Sequence, residues 1–349
     1  MIRSFLPPLR SGKFSSLSWF FTCLACLLGL ATSSHAQTLS YNGTSLETSS
    51  SDVMATGQQN GVGAAVSGST VYLAYATQTG AIALRLSQDG TGTVPLSSYS
   101  ATVTVAGQAI STASVNSNPA LLAVNGNLYL AWIDQNGNPD FVVSSDGGSS
   151  FGSTINSCSG EGAQASFSPA LAYFNGNIYM YYASGSGNVF TYCVINPSTN
   201  SVVGGGNTGL AIGSSPSAIE YGTVLYVAFK DNGTGNTLNS YSTLDGVNYT
   251  LTINTSTPNT SNTSTTSTSP SLFVDNNILF LMFRQNDANN HHLFYDYFDG
   301  ATWAGPFEIS NASNGGPPSV VIGPQGVAID YFRQNASQSE LQLITVEEN

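Results

Sequence analysis

The chain has 349 residues, of which 19 are acidic and 7 are Lys or Arg, for a formal charge of −12. A surface of that sign repels phosphates and anionic lipid heads, so it argues against nucleic-acid binding and electrostatic attachment to membranes. At 41% hydrophobic and only 7% charged, the chain can bury a full core and does not have the composition of a disordered protein.

Residues 1–36 read as an export signal. Arg3, Arg10 and Lys13 precede the apolar run Leu17–Ala31, and Ser34-His35-Ala36 offers small residues for cleavage. That run is shorter than the roughly 20 residues a membrane-spanning helix needs. Cys26 offers a thiol for lipidation, although Cys23 stands where a lipobox usually has Leu. Removing the signal leaves no integral membrane segment, and the chain is expected to be secreted, periplasmic or on the cell surface. Residues 37–55 follow as a strand-like piece, Thr38–Tyr41, and a linker.

From residue 56 to residue 349 one phrase recurs. It runs Asn118-Pro119 to Trp132, Ser168-Pro169 to Tyr182, Ser215-Pro216 to Phe229 and Ser269-Pro270 to Phe283. A first copy without Pro spans Val62–Tyr75, and a sixth spans Pro318–Phe332. Blades are therefore expected to start near residues 62, 119, 169, 216, 270 and 318. Each phrase is an apolar strand, a tight Asn/Gly turn and a second strand of β-branched and aromatic residues, which is a hairpin pattern. A third strand and a weaker fourth follow, as in Thr250–Asn254, and no window after the signal keeps a helical period. Four strands per repeat of about 50 residues predict a six-bladed β-propeller. The last copy stops at Asn349 without a fourth strand, so the mature N-terminal strand is expected to close the last blade.

Two cysteines remain beyond the signal, Cys158 and Cys193, and two readings stay open for them: a disulfide, or two separate buried thiols. His291 and His292 are the only histidines left there, too few for a His-based metal cluster, and nothing in the pattern asks for a cofactor.

Related turns follow four of the third strands: Ser87-Gln88-Asp89-Gly90, Ser144-Ser145-Asp146-Gly147-Gly148 with Phe151, Thr243-Leu244-Asp245-Gly246, and Tyr297-Phe298-Asp299-Gly300. Ser144, Asp146, Gly148 and Phe151 match the Ser-x-Asp-x-Gly-x-x-aromatic pattern, and the chain resembles the Asp-box (BNR-repeat) propellers, which include the sialidases. On physical grounds the motif is structural. A short Ser or Asp side chain bonds neighbouring backbone N–H groups, Gly permits a positive φ, and the aromatic packs into the blade.

The resemblance implies a test for catalysis. A sialidase-like site needs an arginine triad for a carboxylate, a Tyr nucleophile with a Glu, and an acid/base Asp. Only Arg85, Arg284 and Arg333 are left after the signal, and Arg85 lies inside a third strand. The Phe/Tyr-Arg-Ile-Pro motif, where the family keeps an arginine, is absent. Asp330, in the second strand of the last repeat, is the one weak candidate for a catalytic acid. Arg284 and Arg333 instead follow the second strands of consecutive repeats, and Lys230 holds the same place one repeat earlier. In the family, loops at that place lie on the binding face. Every second strand also ends in an aromatic, for which packing between blades is the reading favoured, with Trp132 the best placed to meet a ligand. The expectation is a non-catalytic propeller that binds a glycan, an acidic polysaccharide or another extracellular polymer through Lys230, Arg284, Arg333 and Trp132. The alternatives are a divergent sialidase-like glycoside hydrolase and a structural or adhesive surface protein.

Overall fold

The structure is a computed structural model that describes residues 39–44, 61–77, 79–87, 100–114, 117–156, 162–185, 187–233, 237–256, 269–284, 292–313, 316–326, 328–333 and 341–348. For 39–44, 87, 100–101, 254–256, 310–313, 328–333 and 341–348 it describes the backbone alone. The chain divides into two compact units, Met1–Thr38 and Leu39–Asn349, the first of which lies outside the described residues, as do the expected signal and Cys26.

Leu39–Asn349 is an all-β propeller, with no helix among the described residues. Five four-stranded antiparallel sheets are each built from consecutive strands, here called blades 1 to 5. Blade 1 holds Gly63–Ser67, Thr70–Ala76, Ile82–Ser87 and Ser100–Thr102. Blade 2 holds Ala120–Val124, Asn127–Ile133, Pro139–Ser144 and Ile155–Asn156. In blade 3 the strands are Ala170–Phe174, Asn177–Ala183, Val189–Asn196 and Ser201–Ala211; in blade 4 they are Ser217–Tyr221, Val224–Lys230, Thr237–Thr243 and Thr250–Ser256. Blade 5 holds Ser271–Asp275, Ile278–Arg284, His292–Phe298 and Trp303–Ser313. A further four-stranded sheet joins the two ends of the unit: Val320–Ile322, Ala328–Arg333 and Leu341–Glu348 are followed by Leu39–Thr44, which pairs antiparallel with Leu341–Glu348.

The turns and the burial both follow from the residues. Asn125-Gly126 and Asn175-Gly176 take positive φ at both positions (51° and 79°, 47° and 78°), the two-residue geometry that matches the twist of a hairpin. The second strands of blades 1, 2, 3 and 5 are buried from their second residue to their last, so they read as unbroken apolar runs rather than as an alternation. A strand covered on both faces has no polar side to show. The covering comes from neighbours, because each apolar cluster is shared by two successive sheets. Trp132 and Leu130 of blade 2 pack with Leu84 and Ala74 of blade 1, for example, and Phe280 and Met282 of blade 5 pack with Val320 of the end sheet. Val321 of the end sheet packs in turn against the cluster of Leu73 and Tyr75 in blade 1.

The Ser-Pro phrase acts as a clasp. The Asn118 N–H donates to Ser168 Oγ (2.7 Å), the Ser168 N–H to Ser215 Oγ (2.7 Å), and the Ser215 N–H to Ser269 Oγ (3.1 Å). Each bond crosses from one blade to the next at the start of the first strands. A second tier runs the other way, from Leu272 N–H to Ser217 Oγ and from Val320 N–H to Ser271 Oγ. Close approach is part of this packing, since a Cβ on Gly63 of blade 1 would collide with the Pro119 carbonyl of blade 2. Cys193 is fully buried in blade 3 and disulfide-bonded, while Cys158 lies outside the described residues.

Candidate functional site

The first strands of all six sheets line one central cavity of about 520 Å³. Its walls are small or apolar residues such as Ala64, Ala120, Ala172 and Ala218, and Glu220 is the one charged residue among those lining it. No arginine or lysine lines it. Arg85 is 1% exposed on the third strand of blade 1, with its guanidinium 5.6 Å from the Tyr75 ring centre. Arg284, at the end of a second strand, is 6% exposed. Arg85 and Arg284 are thus packed into blade faces, where a sialidase-like carboxylate clamp would need their guanidinium groups to reach a ligand.

The backbone does place Lys230, Arg284 and Arg333 at one topological position. Each ends a second strand and pairs with a leucine of the third, Leu238, Leu293 and Leu341 respectively. Burial separates them. Arg284 is enclosed, so its side chain offers little surface at the rim where a ligand contact is expected. Lys230 is half-buried and its pKa is lowered by burial, with Asp231 pulling the other way. Its N–H donates to Ser214 Oγ at 2.9 Å. The side chains of Arg333 and Asp330 lie outside the described residues; the backbone pairs Asp330 with Val320 and Ile344.

Trp132, the aromatic expected to be best placed to meet a ligand, is 2% exposed. Tyr75, Tyr182, Phe229 and Phe283 are buried in the same way, because the aromatic one residue before the end of each of these second strands fills the wedge between two blades. Asp140, paired with Trp132 across the sheet, is also buried. Burial, and then the charge of Asp134, push the Asp140 carboxyl up to about 7. Asp134 itself is held below its usual value. Burial would raise it, but the backbone and side-chain N–H groups of Asn138 and Asn136 together outweigh that.

The loops at this end of blades 2 to 4 carry a feature that the repeat pattern does not announce. Gln164 Nε2 donates to Asn188 Oδ1 at 2.7 Å, and Asn188 Nδ2 donates to Asn232 Oδ1 at 3.4 Å. Three amides therefore form a row across loops that belong to successive blades, half-buried at Gln164 and Asn188 and exposed at Asn232. Asn188 holds a positive φ of 52°, which sets its amide between the other two. For Asn188 and Asn232 the one signal in the sequence is the abundance of Asn in the second-to-third strand loops, while Gln164, in the connection between blades 2 and 3, carries none.

The opposite end carries the aspartate turns. Asp146 accepts from Ser144 Oγ, Ser150 N–H and Ser150 Oγ at 2.6–2.9 Å, and Ser144 Oγ in turn accepts the Gly148 N–H at 2.8 Å. These donors hold the Asp146 carboxyl down at about 2. Asp245 repeats the pattern with Thr243, Val247 and Asn248, and Asp299 with the N–H groups of Ala301 and Thr302. Asp89 lies outside the described residues. Phe151 packs partly buried against the cluster between blades 1 and 2. Among the described residues no group of three His, Cys, Asp or Glu is placed to hold a metal, and no helix is long and apolar enough to cross a membrane.

No family model matches the chain, and no curated protein matches it. Solved structures do. The fucose-specific lectin of the fungus Aleuria aurantia superposes with a TM-score of 0.58 at 13% identity, over 85% of this chain and 96% of the lectin. A Trypanosoma rangeli sialidase superposes with a TM-score of 0.59 at 15% identity, over 89% of this chain but 59% of the sialidase. A Dyadobacter fermentans protein of unknown function gives 0.58 at 13%, over 88% and 99%. Likeness at such identities is a likeness of fold, and the fold is the β-propeller.

Proposed function

We propose that this chain is an exported, non-catalytic β-propeller of six blades that binds a glycan on the face where the second strands end. In this reading Leu39–Thr44 completes the sixth blade beside Leu341–Glu348, and the turns at Asp146, Asp245 and Asp299 are Asp-boxes with a structural role. The observation that carries the binding reading is the amide row Gln164–Asn188–Asn232. Amides both donate and accept, so they suit the hydroxyls of a sugar, and they stand beside Lys230 rather than beside a clamp of arginines. The likeness of fold to the fucose-specific lectin of Aleuria aurantia, over 85% of this chain, points the same way. Burial of Arg284 favours a neutral glycan over an acidic one, since an enclosed guanidinium has no free fork for a carboxylate.

A sialidase-like hydrolase is the runner-up. The likeness to the Trypanosoma rangeli enzyme favours it, and the burial of Arg85 and Arg284 weighs against it. One experiment separates the readings: a glycan array of neutral and acidic oligosaccharides, run beside fluorogenic sialosides and other glycosides. Binding without turnover, weakened roughly tenfold or more in Asn188→Ala, is the expected result. Turnover would overturn the non-catalytic reading, and silence on both assays would leave a structural or adhesive protein.

A further inference from the structure

We propose that the seam between blades 4 and 5 is a proton-dependent lock, closed while Asp296 is a neutral acid and loosened when Asp296 ionises. The strand registers place the parts. In blade 4, Ser217, Ala228 and Ser240 are cross-strand neighbours; in blade 5, Leu272, Leu281 and Asp296 are. The Leu272 N–H donates to Ser217 Oγ at 2.9 Å, which sets the two rows at one level. Ala228 and Leu281 belong to the same apolar cluster, so it is these faces that meet. Asp296 and Ser240 therefore share the interior of one seam, 1% and 0% exposed.

Asp296 Oδ2, Ser240 Oγ and Trp303 Nε1 are all buried without a hydrogen-bond partner among the described residues. Trp303 packs on that same cluster. On its other side the carboxyl abuts Gly305 of the outer strand so closely that a Cβ there would collide with Oδ1. Among the described residues no cation answers the carboxyl. Among the described residues the titratable groups on the faces that meet here are Tyr221, Tyr226 and Lys230 of blade 4, with His292 and Glu308 of blade 5, and Asp299 of blade 5 acts on Tyr221 from the turn at the edge. His292 and Glu308 are spent on each other at 3.0 Å, and Lys230 feels Asp231. Burial alone pushes the Asp296 carboxyl up to about 7.

The sign follows from the excess of protons bound by the fold. With a folded pKa above the unfolded one, stability is whole below about pH 4, declines as pH rises, and levels off above about pH 7. An ionised carboxylate in an apolar wall must draw in water, and the seam is where it enters.

The test is thermal unfolding of the full chain from about pH 4 to about pH 8, in the wild type, Asp296→Asn, Asp140→Asn and the double variant. Asp140 is included because it is a second buried acid with a raised pKa, in blade 2. Asp296→Asn is expected to leave the melting temperature near that of the wild type at the acid end and to raise it by several degrees at the alkaline end. The same flattening is expected in the Asp140→Asn background. Hydrogen exchange of Ala228, Leu272 and Leu281, corrected for the intrinsic rate, should accelerate with pH in the wild type and not in the variant. An unchanged slope in Asp296→Asn, or an equal loss at both ends, would overturn the proposal. If the variant does not fold, wild-type infrared difference spectra decide: no protonated-carboxyl band lost between about pH 6 and about pH 8 would overturn it as well.

Discussion

The serine of each Ser-Pro pair does more for this protein than the proline that makes the repeat easy to see. Ser168 Oγ is the acceptor for a buried Asn118 N–H, while its own N–H goes on to Ser215 Oγ. Removing the hydroxyl leaves a donor in the interior with nothing to bond. Ser168→Ala should therefore lower stability by about 1–3 kcal/mol, the desolvation cost of an orphaned buried group. Denaturant unfolding would read this as a lower midpoint at unchanged slope, while Ser149→Ala, at an exposed turn, should leave the midpoint in place. The prolines and their spacing were legible in the sequence. The bonding of the serines was not, because a side chain that bonds a residue 47 or 50 positions away leaves no local pattern.

At the level of strands and turns, the aspartate turns lean on the blade before them. The aromatic ring of Tyr179 in blade 3 lies under Gly246 in blade 4, where a Cβ would collide with the tyrosine hydroxyl and where φ is 76°. In blade 2 a Cβ on Gly147 would crowd the Tyr72 hydroxyl of blade 1, and one on Gly148 would collide with Leu84 of blade 1. The glycine of the motif is thus required twice, by its own backbone and by its neighbour's side chain. Within the turn, Ser144 relays between Asp146 and the Gly148 N–H, so Ser144→Ala should cost about 1–3 kcal/mol, with glycan binding on the opposite end unchanged. A loss of binding at retained stability would place the ligand at the turns instead. The structural role of these turns could be read from the motif, since a carboxylate followed by backbone donors satisfies itself. Their use as contacts between blades could not, because it depends on which tyrosine comes to lie beneath.

At the scale of the whole molecule, the two ends of Leu39–Asn349 meet in one sheet. Leu39–Thr44 pairs with Leu341–Glu348 over six residue pairs, so the first described strand and the last support one sheet. Deleting residues 37–50 should expose that sheet edge and lower the melting temperature sharply, as scanning calorimetry would show, whereas an unchanged melt would mean that the pairing contributes nothing. The repeat, the all-β class and the strand order within each blade were written in the sequence, because hairpin turns and apolar runs are local and recur with a fixed period. The fate of the charged residues was not. Lys230 and Arg284 stand at matching positions, yet one is half-exposed and the other enclosed. Asp140 and Asp296 look like ordinary surface acids until the neighbouring blade covers them. Periodicity tells which way a side chain leaves its strand. What it meets there is decided by the adjoining blade, about 50 residues away in the chain, and burial by that neighbour sets both the exposure and the charge of the group.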